Sequence, residues 1–172
     1  MQKLFLFIFP TLVVSVSAEI VNQILVKKSF SGFVNTTIVY LVFLIILFYV
    51  KKGFNKILKN AFYNTLVWYI LLGIFGLFVE WNLLGNSQVQ IHGQIAMFTF
   101  WASFGIMPTI FSESPMKTDL QKYFIQYLIV WTCLYLLAGI LVNPGLGLLL
   151  WVVGSIGLNY FYIKYLLCLK KV

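Results

Sequence analysis

Arginine is absent from this chain of 172 residues, acids number only four, and there is a single histidine. Each shortage excludes something. Without a guanidinium there is no bidentate clamp for phosphate. One histidine cannot ligate a haem from both faces, which argues against a self-contained b-type electron carrier. Two cysteines, Cys133 and Cys168, are too few for a disulfide framework and read as small apolar packing residues. The sequence holds no Gly-x-Ser-x-Gly, His-Glu-x-x-His, P-loop or Cys-x-x-Cys motif. An enzyme is therefore the least favoured class, and no cofactor is expected.

Charge of any kind is scarce. Charged residues make up 9% of the chain, against roughly a quarter in a soluble domain that must face water. Hydrophobic residues make up 62%, and the mean hydropathy is +0.97. What is present is a succession of apolar runs, at about 4–26, 33–50, 61–84, 91–111, 123–142 and 146–167. A bilayer-spanning helix needs about 20 such residues, so these runs consume nearly the whole chain. They predict a polytopic, all-α transmembrane bundle of about six spans, a single integral membrane domain over residues 1–172 with short loops. The start, Met1-Gln2-Lys3 followed by an apolar stretch and Val16-Ser17-Ala18, also fits a cleavable signal peptide, which would leave five spans. The apolar run continues beyond Ala18 to Val26, as a full span does, and favours six.

All twelve basic residues are lysine, giving a net charge of +8. They gather at the ends of the apolar runs, the pattern of membrane orientation rather than of nucleic-acid binding. With six spans, Lys3, Lys51, Lys52, Lys56, Lys59, Lys117, Lys122, Lys170 and Lys171 share one side of the bilayer. Lys27 and Lys28 lie on the other. The lysine-rich side is expected to be cytoplasmic, with both termini there, and the membrane to be a bacterial plasma (inner) membrane. In the second connector Phe54, Ile57, Leu58 and Phe62 recur at helical spacing opposite lysines. That predicts a short amphipathic segment on the inner surface, with Lys51, Lys52, Lys56 and Lys59 meeting anionic lipid headgroups.

In hydrocarbon, small and polar side chains mark the faces where helices meet. Such stripes run through Thr11, Ser15, Glu19, Asn22 and Gln23, and through Thr65, Tyr69, Gly73, Gly76 and Glu80. Others pass through His92, Ala96, Thr99 and Ser103, and through Gly147, Gly154, Ser155, Asn159 and Tyr162. Pro10 and Pro108 fall inside spans, where each removes a helical hydrogen bond.

Glu113 and Asp119 sit in a connector and read as solvated charges, whereas Glu19, Glu80 and His92 fall within spans, near the lysine-poor side. The third and fourth spans form a hairpin that brings Glu80 and His92 to similar depth. With Asn22, Gln23, Asn82 and Gln94 they form the candidate ligand site. Such a cluster suits a proton, a cationic or hydrogen-bonding solute, or a metal held by two carboxylates and one imidazole. In length and span count alone, the chain resembles small substrate-binding subunits of vitamin and metal uptake transporters. The leading expectation is small-solute binding or transport. The alternatives are a non-catalytic subunit of a larger membrane complex, with other membrane subunits as partners, and a membrane enzyme acting on a lipid or isoprenoid.

Overall fold

The computed structural model describes residues 2–82, 90–112 and 118–170. Residues 83–89, Glu113, Lys117 and Lys171, on which part of the loop and charge reading drew, lie outside them. The helices are α1 (Gln2–Glu19), α2 (Phe30–Ile57), α3 (Ala61–Asn82), α4 (Ile91–Ser112), α5 (Thr118–Leu141) and α6 (Pro144–Lys170). A π-helical segment, Ile20–Val26, continues α1. Among the described residues there is no strand, and six helices are long and apolar enough to cross a bilayer. The chain is thus a multi-pass integral membrane protein.

Chain reversals follow local chemistry. Ser29 caps α2 by accepting from the Gly32 amide at 3.1 Å. Asn60 caps α3 through the Tyr63 amide at 3.1 Å, and Asn143 caps α6 through the Leu146 amide at 2.8 Å. Each asparagine or serine satisfies an amide that the first helical turn leaves open. Pro144 takes the first position of α6, where its missing N–H costs nothing.

The helix α4 is the centre of the bundle, packed against α3, α1 and α6. It is the least apolar of the six spans and the most enclosed, with 72% of its spanning window buried. The most apolar span, α2, has only 17% buried. This inverse relation is what a lipid solvent dictates: side chains facing acyl chains must be apolar, and polar or small ones fit only where protein covers them. The predicted stripes accordingly turn inward. Thr11, Ser15, Thr65, Thr99, Ser103 and Ser155 are all buried, and α1 is held within the bundle by the same face. Where α5 meets α6, a Cβ on Gly147 would stand 2.8 Å from Gly139 Cα and 2.9 Å from the Tyr135 carbonyl oxygen. Only glycine lets the backbones approach so closely.

Polar links tie the spans together. The Ser17 hydroxyl donates to the Val13 carbonyl at 2.8 Å, leaving its oxygen to accept from Tyr135 of α5. Interhelical hydrogen bonds in a bilayer contribute about 0.6 kcal/mol on average. Tyr135→Phe is therefore expected to lower stability by about 1 kcal/mol, read as a small shift in detergent-micelle denaturation. A fully unchanged midpoint would show that this pair does not hold α1 to α5.

One boundary differs from the sequence expectation. The apolar run ends at Val50, yet α2 continues to Ile57, through Lys51 and Lys52. No separate amphipathic helix lies on the surface. Phe54 belongs to the last turns of α2 and packs on Trp68 of α3, with ring centroids 5.3 Å apart. Lys51 is buried, at 4% exposure, while Lys52, Lys56 and Lys59 are exposed. The helix does not stop at the lysine pair because one member has a partner inside the bundle. Lys51 donates to the Asn64 side-chain oxygen and lies 5.5 Å from the centre of the Trp68 ring.

Candidate functional site

Glu19 is the last residue of α1, where the backbone passes into the π-helical turns. There the Lys27 amide bonds back five residues to the Asn22 carbonyl, at 3.0 Å. Asn22 and Gln23, three and four residues on, lie on the side of Glu19, and π-helical turns occur frequently at functional sites. Asn22 lies 3.5 Å from Glu19 Oε2, and Gln23 also presents its amide to this carboxylate. From α2 the Tyr40 hydroxyl donates to Glu19 Oε1 at 2.9 Å.

Glu80 stands near the end of α3 and accepts a hydrogen bond from the Trp101 indole at 2.9 Å. Trp101 is well inside α4, yet the pair meets because helical side chains lean toward their own N-terminus. The helices run antiparallel, so Glu80 reaches into the bundle while Trp101 reaches toward its mouth. The ring of Trp101 lies directly against Gly76, one turn before Glu80, so the small residue positions the donor for the acid.

Both carboxylates open onto one cavity of about 270 Å³. Its walls come from Ala18, Glu19 and Asn22 of the first span, Tyr40, Glu80, Gly93, Met97 and Phe100, and Leu148, Trp151 and Val152 of α6, with Lys27 also lining it. Five of the six helices contribute, and all do so near the lysine-poor end. The two acids are both buried, at 7% and 9% exposure. Their partners named here can only give or are giving protons: an indole N–H is a donor only, and the phenol and amide donate here. The pocket is thus built around carboxylate acceptors.

The expected site residues divide. Glu19, Asn22 and Glu80 line the cavity, and Gln23 touches it through Glu19. His92 does not line it; the adjacent Gly93 does. His92 is exposed, as is Ile91 beside it. Asn82 is exposed and donates to the Phe78 carbonyl of its own helix at 2.9 Å. Gln94 accepts from the Trp81 indole at 2.7 Å. Among the described residues, no three His, Cys, Asp or Glu side chains gather closely enough to hold a metal ion. The two-carboxylate, one-imidazole set is therefore not assembled.

Sequence reasoning missed Tyr40, Phe100, Trp101 and Trp151. Tyr40 did leave a trace, as a phenol inside the otherwise apolar run of α2. Below the cavity a second polar link joins three helices: Tyr69 of α3 donates to Asn159 of α6, whose amide donates to Thr99 of α4 at 2.9 Å.

Compared with protein-family models, curated proteins and solved structures, the chain matches none.

Proposed function

We propose that this membrane protein binds a small solute in the Glu19–Glu80 cavity, as a receptor or transporter subunit in a bacterial inner membrane. The observation that supports this most strongly is the convergence of two carboxylates, from spans far apart in sequence, on one lined cavity inside the bundle. Ionisable groups within a spanning segment are costly there and mark ligand or ion pathways. A purely structural pair of acids would not require a cavity that both of them line. In this reading the lysine-rich end faces the cytoplasm, the cavity faces outward, and exposed Lys52, Lys56 and Lys59 meet anionic headgroups.

The test is a thermal-stabilisation screen of the purified protein against small inorganic cations, amines, amino acids and sugars. Glu19→Gln and Glu80→Gln keep size but remove the charge and exchange one acceptor oxygen for a donor. Each is expected to insert normally and to lose stabilisation by the solute that protects the parent protein. An identical stabilisation profile for the parent and both variants would remove the cavity as the binding site.

A further inference from the structure

The walls of the cavity, more than its acids, narrow the class of ligand. Beside Glu19 and Glu80 stand three aromatic rings: Tyr40, Phe100 and Trp151. They touch one another in sequence. Tyr40 and Phe100 meet edge to face with centroids 6.3 Å apart, and Phe100 and Trp151 do so at 5.3 Å. Tyr40 also carries the hydroxyl that fixes Glu19, so the aromatic and acidic walls share a corner. The remaining lining is largely apolar: Ala18, Met97, Leu148 and Val152.

A bare metal ion does not suit such a chamber. Hard cations gather six or more oxygens on all sides, and here most of the lining residues are apolar or aromatic. Nor does a neutral sugar, which would bring no positive charge to two buried acids. Aromatic rings with adjacent acids are the chemistry that holds an ammonium group carrying alkyl substituents. Its charge is attracted both to ring faces and to carboxylates, and its methyl groups fill apolar space. The volume, about 270 Å³, sits just under the range of about 300–1,000 Å³ usual for drug-sized ligands, so the guest is small.

We propose that the cavity is a site for a small alkylammonium compound, quaternary or methylated, with Glu19 and Glu80 supplying counter-charge and Tyr40, Phe100 and Trp151 forming an aromatic cage. This rests on the binding-cavity reading above and specifies its ligand. Lys27 also lines the cavity and acts on Glu19, but it is exposed and the two buried acids outnumber it.

The experiment uses the full-length protein in detergent, with choline chloride and tetramethylammonium chloride as probes. Sodium and potassium chloride at matched ionic strength, and 3,3-dimethyl-1-butanol, the uncharged analogue of choline, serve as comparators. Choline is expected to raise the melting temperature saturably and to change tryptophan fluorescence, while the salts and the alcohol do neither. Glu19→Gln and Glu80→Gln should abolish the effect. Trp151→Leu should weaken it about tenfold, and Trp151→Phe, which keeps a ring and perturbs packing less, should weaken it by a smaller factor. Asn82→Ala, away from the cavity, should leave it intact. Equal stabilisation by sodium or by the neutral alcohol, lost on removing Glu19 or Glu80, would overturn the alkylammonium assignment and leave a binding cavity of another specificity. A choline effect that survives in both glutamine variants would place choline elsewhere and overturn the assignment as well. If no probe or comparator acts on the parent protein, the assignment falls; if the broader solute screen also finds none, the binding-cavity reading falls with it.

Discussion

Gly76→Ala is expected to cost about 2–3 kcal/mol of stability and to abolish solute binding in the same stroke. A Cβ at this position would stand inside the van der Waals shells of Trp101 Cβ and Cγ, the root of that side chain. The root cannot swing away without moving α4 itself or forcing Trp101 out of its rotamer. Either change withdraws the indole that donates to Glu80 at 2.9 Å, and a buried carboxylate loses a donor. Gly73→Ala is the informative comparison, one turn earlier on the same face. There the added carbon meets the far edge of the Phe98 ring, which can rotate aside. Gly73→Ala should cost about 1 kcal/mol or less and leave binding measurable. Denaturation in micelles together with the solute assay separates the cases. Should the two alanine variants behave alike, or Gly76→Ala keep full binding, Gly76 is not what seats Trp101.

That contrast also shows where sequence reasoning reached its limit. Glu19 and Glu80 were legible because acids are rare in this chain and an acid within an apolar run has few explanations. The helices themselves were equally legible, since lipid enforces long apolar runs, and the inward stripes followed from the positions of small and polar residues. Tyr40, Phe100, Trp101 and Trp151 were not legible as site residues, because the chain holds 17 Phe, 10 Tyr and 5 Trp, and most of them simply pack. What distinguishes these four is the relative depth of different helices. Linear spacing within one helix does not encode it. Trp101 and Glu80 meet only because their side chains lean toward each other across an antiparallel pair.

His92 and Lys51 fail in opposite directions, for one reason. Both were placed by reading an element's end as a change of environment. His92 continues the buried stripe of Ala96, Thr99 and Ser103 by helical arithmetic, yet it lies exposed in the first turn of α4. Lys51 begins a lysine pair that marks the usual exit from the membrane, yet α3 supplies it with an amide and an indole face, and α2 carries on beyond it. A helix end is set by what its neighbours cover, which no single segment reveals.

The arrangement at Lys51 is the counterpart of the acid cavity: a buried cation with a neutral acceptor at the lysine-rich end, buried anions with neutral donors at the other. Unlike the acids, Lys51 does not line the Glu19–Glu80 cavity, and the consequence expected of it is a large, non-additive stability effect. Asn64→Leu removes an acceptor of the Lys51 ammonium and also the amide that donates to the Leu58 carbonyl at 2.9 Å, which fixes the turn between α2 and α3. A hydrogen bond to a charged group is worth about 1.5–3 kcal/mol, and removing one partner also leaves a buried charge poorly compensated. The expected loss is about 3 kcal/mol. Lys51→Met should be milder, because it removes the charge along with its need for a partner, and its unbranched chain can still pack on Trp68. Combining the two substitutions should recover part of the loss caused by Asn64→Leu, since a fully apolar pair leaves no charge behind. Lys52→Met, on the exposed side of the same turn, should stay within about 0.5 kcal/mol of the parent. A double-mutant cycle on micelle-solubilised protein measures the coupling directly. Strictly additive losses at Lys51 and Asn64 would mean that the lysine is not held inside the bundle by this asparagine, and that α2 passes its lysine pair for some other reason.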